Sequence, residues 1–150
     1  MTRKYSCVDL FSGCGGLSLG LKSSGFDTRL AVEKSDMAAE TYFHNFIGRI
    51  SDLDCWRRDF LQSSVSDQAK KHLVVRELEQ VLKAEDVMDS LRSEGIDLIA
   101  GGPPCQGFSM AGRRNPDDVR NELPWQFLEF VKAVQPRAVI IENVSGMRSD

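Results

Sequence analysis

The chain has 150 residues, a formal net charge of −3 and 41% hydrophobic residues, enough for one domain with a core, or for part of one. No global basicity advertises nucleic acid, so any phosphate contacts must come from local basic side chains. Four cysteines without C-x-x-C spacing and two histidines outside any H-x₃-H arrangement speak against a metal site. The absence of a secretory h-region or a membrane-length apolar run predicts a cytoplasmic protein with reduced thiols and no membrane partner.

Tyr5 to Phe11 reads as a first strand. It runs into Ser12-Gly13-Cys14-Gly15-Gly16, after which Leu17, Leu19 and Leu21 continue at helical spacing up to Gly25. Strand, glycine turn and helix let a ligand approach the N–H groups of a helix N-terminus. Gly13 and Gly15 fit G-x-G, but Ser18 holds the third glycine position of a dinucleotide fingerprint. Asp27 to Val32 predicts a second strand ending in Glu33, twenty positions after Gly13, where a carboxylate can accept from ribose hydroxyls. Ser35 or Asp36 caps the next helix, which breaks near Gly48.

Between Ile50 and Lys83 the signal thins. Leu53, Trp56 and Phe60 fit a short helix or an irregular strand, and Ser66 to Lys83 reads as a helix with Leu73, Val74, Leu78, Val81 and Leu82 on one face. A short amphipathic segment starting at Ala84-Glu85-Asp86-Val87 is closed by Gly95. Ile96 to Ala100 is a buried strand that delivers the chain to Gly101-Gly102-Pro103-Pro104-Cys105-Gln106-Gly107-Phe108-Ser109. The glycines allow a sharp turn and the prolines stiffen it, so Cys105 sits on a rigid turn at a strand's carboxyl end. Ala111 to Asn121 is a long, locally basic loop. Pro124 opens a helix with Phe127, Leu128, Val131 and Val134 as its buried stripe. Ala138 to Ile141 reads as a strongly buried strand ending in Glu142-Asn143-Val144.

Alternating strands and helices predict an α/β fold with a doubly wound, mostly parallel sheet. The glycine turn, Glu33, the Pro-Cys turn and Glu142 then share one edge. A thiol nucleophile at Cys105 and an acid at Glu142, held protonated by partial desolvation, imply covalent catalysis on a substrate needing attack and protonation together.

The strings Asp9-Leu10-Phe11-Ser12-Gly13-Cys14-Gly15-Gly16, Pro103-Pro104-Cys105-Gln106-Gly107-Phe108-Ser109 and Glu142-Asn143-Val144, in this order, resemble the signature motifs of the C5-cytosine DNA methyltransferases. The resemblance implies a Rossmann-like fold that binds S-adenosylmethionine and releases S-adenosylhomocysteine. Phe11 would pack on the adenine, and the backbone of Ser12, Gly13, Cys14, Gly15 and Gly16 would cradle the rest. Glu33 would take the ribose and Lys34 would flank the base. Asp86, with Val87 beside it, stands for the family's adenine-contacting acid, Asp59 being its competitor. Pro104 and Leu123 add cofactor contacts; Asp118-Val119-Arg120-Asn121-Glu122-Leu123 departs from the family string by Asn121 in place of glycine.

By the same resemblance, which also implies nucleoid association, Cys105 would attack C6 of a flipped cytosine in double-stranded DNA and Glu142 would protonate or hydrogen-bond N3. The Pro103 carbonyl would accept from the cytosine amino group. Gln106, Ser109, Arg113 and Arg114 would meet the DNA, and Asn143 would support the turn. The chain then reads as the N-terminal part of a catalytic domain, with residues 48–83 as an insertion. Target recognition would lie in a remaining C-terminal half or in a second subunit. Three readings compete: a tRNA cytosine methyltransferase, a non-catalytic S-adenosylmethionine-binding scaffold, and a nicotinamide dehydrogenase, which has no use for the Pro-Pro-Cys turn.

Overall fold

The computed structural model describes residues 4–104 and 122–142. Five parallel strands form one sheet in the order β3-β2-β1-β4-β5. They are β1 (Tyr5–Leu10), β2 (Phe26–Glu33), β3 (Leu73–Val75), β4 (Leu98–Gly101) and β5 (Ala138–Ile141). The chain steps outward from β1 to β3, then crosses back to lay β4 on the other side of β1. The carboxyl ends of β1 and β4 therefore flank a topological switch point, where open α/β sheets bind ligands.

Alternation along β1 separates the two faces. Val8 and Leu10 point to one side, where Ile99, Leu91, Phe127 and Phe130 complete the main core. That face carries α5 (Leu78–Leu82), α6 (Glu85–Glu94) and α7 (Leu123–Val134). Cys7 and Asp9 point to the other side, covered by α1 (Gly16–Ser23) and α2 (Asp36–Phe46). Helices on both faces make the sheet doubly wound. Within α2, Ser35 accepts from the Ala38 N–H as N-cap, as its residue type predicts. Gly95, at φ 68°, closes α6.

Three expectations are corrected. Residues 66–83 are not one helix: α4 (Val65–Ala69) ends before β3, and α5 follows it. Leu73 and Val74 fit the expected helical stripe, but together with Val75 they are buried in the sheet, where the two β-branched valines suit a strand. The 48–83 span thus contributes a strand of the sheet itself, together with α3 (Leu53–Cys55) and a π-helical turn over Trp56–Leu61. On α7 the buried positions are Phe127, Phe130 and Val134, and Leu128 is 39% exposed. Finally, β5 is not buried: Val139, Ile140 and Ile141 are 40–47% exposed. It is the outermost strand on its side, and no described element covers its far edge.

Candidate functional site

The turn after β1 is built by backbone that ordinary residues avoid. Phe11 has φ 59°, Gly13 φ 55° and Gly15 φ 96°, so three left-handed residues reverse the chain within five positions. At Gly15 a side chain is excluded twice, by its dihedral and by the Phe46 ring against its α-carbon. The turn is pinned to β2. Ser12 N–H donates to the Val32 carbonyl at 3.0 Å, and Gly13 N–H donates to Glu33 Oε2 at 2.8 Å. The other oxygen of Glu33 accepts from Ser35 N–H at 2.8 Å. Glu33 therefore couples the glycine turn to the start of α2 through one carboxylate.

Beneath the turn lies a buried polar cluster. Ser18, at the position where a dinucleotide fingerprint has glycine, donates to Asp9 Oδ2 at 2.5 Å and meets Tyr42 Oη at 3.0 Å. All three are buried. Burial pushes the Asp9 carboxyl up to about 6, against the Ser18 hydrogen bonds, with repulsion from Glu33 and Glu142 adding to it. Carboxylates of three strands thus converge on one edge of the sheet and give it a negative field.

A cleft of about 310 Å³ opens at this edge. Phe11 lines it from β1, Glu33 and Lys34 from β2, and Gly102 and Pro104 from β4. Leu123 and Gln126 close it from the first turn of α7. The structure thereby brings together Phe11, Glu33, Lys34, Pro104 and Leu123. Ser12 is buried beside them. Cys14, Gly15 and Gly16 instead border a shallow groove between α1 and α2.

Asp86 and Val87 do not reach the cleft. They sit at the start of α6, beside a separate depression with Arg29 and His72. Asp59 is exposed and held by its neighbour Arg58 at 2.7 Å. The cleft positions after β3 belong to Arg76, Glu77 and Leu78, which sequence reasoning missed. Their signal was the apolar triplet Leu73-Val74-Val75 followed by Arg76, an acid and another apolar residue, a strand end that the helical period concealed.

Gly101 and Ile141 pair across β4 and β5, and Glu142 N–H donates to the Gly101 carbonyl at 2.9 Å. A β-carbon on Gly102 would stand 3.0 Å from Glu142 Oε2, so this glycine leaves room for the carboxylate beside its own backbone. Glu142 itself is exposed, and the desolvation expected of it is not supplied by the described residues. Cys105, Gln106, Ser109, Arg113, Arg114 and Asn143 lie outside the described residues. Among the described residues, no cluster of metal-ligating side chains is present and no helix is long and apolar enough to cross a membrane.

Comparison with known proteins places this geometry in a family. A family model described as C-5 cytosine-specific DNA methylase matches residues 5–150. The Type II methyltransferase M.HgiGI of Herpetosiphon aurantiacus is 35% identical over 141 residues, covering 94% of this chain and 91% of that protein. M.DdeI of Desulfomicrobium norvegicum is 37% identical over 142 residues, 95% of this chain but 28% of the relative. A crystal structure of a candidate DNA modification methyltransferase encoded within an E. coli prophage superposes with a TM-score of 0.68 at 34% identity. That alignment covers 97% of this chain and 34% of the solved one. Apart from M.HgiGI, the chain thus spans roughly a third of these relatives' length. With a family model matched from Tyr5 to the last residue and a parallel sheet whose switch point carries the Phe11–Glu33 cleft, this chain belongs to the C-5 cytosine-specific DNA methylase family.

Proposed function

We propose that this chain is the cofactor-binding and catalytic part of a DNA cytosine-5 methyltransferase of a restriction-modification system, acting together with further polypeptide that carries target recognition. The observation that carries the reading is the Gly101–Ile141 pairing. It delivers Pro103-Pro104, the residues directly before Cys105, and Glu142 to the same edge as the Phe11–Glu33 cleft. Cys105, Gln106, Ser109, Arg113, Arg114 and Asn143 enter on sequence alone.

The cleft residues fit S-adenosylmethionine. Phe11, Leu78, Pro104 and Leu123 offer apolar surface for a base, Glu33 offers carboxylate oxygens for ribose hydroxyls, and Glu77 replaces Asp86 as the acid beside the base. The negative field of Asp9, Glu33 and Glu142 favours a cationic ligand. When bound, the cofactor supplies an electrophilic methyl group on a sulfonium sulfur.

The target cytosine is flipped out of the duplex, at roughly a few kcal/mol. The Cys105 thiolate forms a bond to C6, and the displaced electron pair is drawn toward N3, where Glu142 delivers a proton. C5 thereby becomes nucleophilic. Once C5 is methylated, its proton leaves, the C5–C6 double bond reforms and the bond to Cys105 breaks. The Pro103 carbonyl orients the base through its amino group.

The test uses duplex DNA carrying 5-fluorocytosine and the chain combined with its remaining polypeptide. No proton is then left on C5 to lose, so a denaturation-resistant, cofactor-dependent complex should accumulate, with the adduct on Cys105 by mass spectrometry. Cys105→Ala should abolish it. An adduct on Cys7, Cys14 or Cys55, or its persistence in Cys105→Ala, would sink the mechanism. Trapping on tRNA but not on duplex DNA would favour the tRNA enzyme, and cofactor binding without any adduct would favour a scaffold.

A further inference from the structure

At the end of the sheet away from the cleft, two backbone irregularities meet. Cys7 pairs with Thr28 and Val8 with Leu30, so Arg29 is the extra residue of a bulge in β2. His72, directly before β3, has φ 63°, a left-handed conformation that residues with a β-carbon seldom adopt. Its ring Nδ1 donates to the Arg29 carbonyl at 2.8 Å, which leaves Nε2 for a further partner. Bulges re-aim side chains, and strained backbone gathers where ligands are held.

Both residues line a groove of about 490 Å³, within the size range of small-molecule sites. It lies at the amino ends of β1, β2 and β3, against the last turns of α1 and α2. Lys4 and Lys22 join Arg29 and His72 on its walls, and all four are exposed. Asp27 is the one acid among the described residues that line it, and it meets Arg29 at 3.6 Å. Three permanent cations thus face one carboxylate, in a chain whose net charge is −3. Lys22 stands in the last turn of α1, where a cation offsets the helix dipole. Lys4, Arg29 and His72 belong to no helix, so that account does not reach them.

The groove is also aromatic. Phe26 and Phe46 line it and are half-buried, and the Lys22 ammonium lies 5.9 Å from the centre of the Phe46 ring. A planar ring fits such a surface. An excess of two positive charges matches the nearly two negative charges of a phosphate monoester at neutral pH, and a single carboxylate would balance half of it. We propose that this groove is a second ligand site, one for a nucleoside monophosphate, with the base on the Phe26–Phe46 wall and the phosphate among Lys4, Lys22, Arg29 and His72. The site does not depend on the reading of the Phe11–Glu33 cleft, which lies at the carboxyl ends of the same strands. A free nucleotide and the 5′-phosphate end of a nucleic acid strand share this chemistry.

The test is calorimetric titration of the chain, combined with its remaining polypeptide, with thymidine 5′-monophosphate. This probe carries neither the adenine of the cofactor nor the target cytosine. It should bind roughly tenfold more tightly than thymidine or inorganic phosphate, because each fragment keeps only part of the contacts. Saturating S-adenosylhomocysteine should leave its affinity unchanged. Lys4→Glu and Lys22→Glu should each weaken it roughly tenfold, the loss of one charge-assisted contact, with S-adenosylhomocysteine binding as in wild type. Lys22→Arg should retain it. Circular dichroism checks the fold, and Lys4→Gln or Lys22→Gln replaces a glutamate variant that unfolds. A 5′-phosphorylated thymidine oligonucleotide that binds as tightly as the monomer assigns the site to strand ends, and its exclusion assigns the site to free nucleotides. No binding of the mononucleotide, its displacement by S-adenosylhomocysteine, or full affinity in the folded variants of both lysines would overturn the proposal.

Discussion

Asp9 and Glu33 are neighbours at the sheet edge with opposite surroundings. Asp9 is fully buried, facing Ser18 and Tyr42 and feeling Glu33 and Glu142. Its carboxyl moves from 3.8 to about 6, so the folded chain holds this proton more tightly than the unfolded chain. The group therefore favours folding least at high pH: its contribution falls as pH rises from about 4 to 6 and then stays at a fixed cost of roughly 3 kcal/mol. Asp9→Asn keeps an acceptor for Ser18 and removes the titration. Urea unfolding should show the variant gaining on wild type by up to this amount between pH 4 and pH 7; a flat difference would rule out a buried titrating Asp9. Glu33, by contrast, is partly exposed, and both of its oxygens already hold backbone N–H groups of Gly13 and Ser35. Glu33→Ala should thus loosen the turn, costing about 1–2 kcal/mol of stability, and weaken S-adenosylmethionine binding roughly tenfold to a hundredfold. Thermal melts and calorimetry on the same samples separate the two losses. Glu33 and Phe11 were legible because a strand, a glycine turn and an acid at fixed spacing are local features. The burial of Asp9 was not, since nothing in Asp9-Leu10-Phe11 says that α1 and α2 will close over its side chain.

At the scale of elements, the span around β3 was the least legible. Residues 66–83 carry apolar side chains at a spacing that serves a helix, and three of them serve a strand instead because the sheet had an edge at β2 to be paired. Tertiary context overrode the local period. What fixes β3 is a residue with no sequence signature. Gln68 is completely buried. Its amide donates to the Phe60 carbonyl at 2.8 Å and the Leu61 carbonyl at 3.3 Å, and its oxygen accepts from Val75 N–H at 2.8 Å. One side chain thereby ties the end of the π-helical turn to the last residue of β3, directly before the cleft-lining Arg76, Glu77 and Leu78. Arg76 repeats the link by donating to the Ser63 carbonyl at 2.9 Å. Gln68→Leu would leave the Val75 N–H without its buried acceptor and take one donor from the Leu61 carbonyl, while the Phe60 carbonyl keeps Ser63, and should destabilise the chain by about 1–3 kcal/mol. The same change should weaken S-adenosylhomocysteine binding, because the Glu77 wall loses its anchor. Normal stability in urea unfolding would mean that water replaces the amide.

At the scale of the whole molecule, the order β3-β2-β1-β4-β5 leaves β5 as a terminal strand of a sheet otherwise well covered. The sequence Ala138-Val139-Ile140-Ile141 was expected to be buried because it is as apolar as β4, and hydrophobicity alone cannot tell an inner strand from an outer one. Register assigns the exposed side chains to both faces. Val139 lies beside Ile99 on the α7 side, and Ile140 lies beside Ala100 on the α1 side. An edge that is apolar on both faces, with free backbone groups along it, is a template for further pairing. Natural edges are blunted by charge or by cover, and the described part of β5 has neither. A polypeptide of these 150 residues by itself should therefore self-associate through β5. Sedimentation velocity over a range of concentrations should show oligomers that grow with concentration. Ile140→Lys places a charge on the open face without touching the main core, and should shift the population toward monomer while leaving the circular dichroism spectrum unchanged. A monomer at every concentration, or association that Ile140→Lys leaves untouched, would mean that β5 is covered by other parts of the chain.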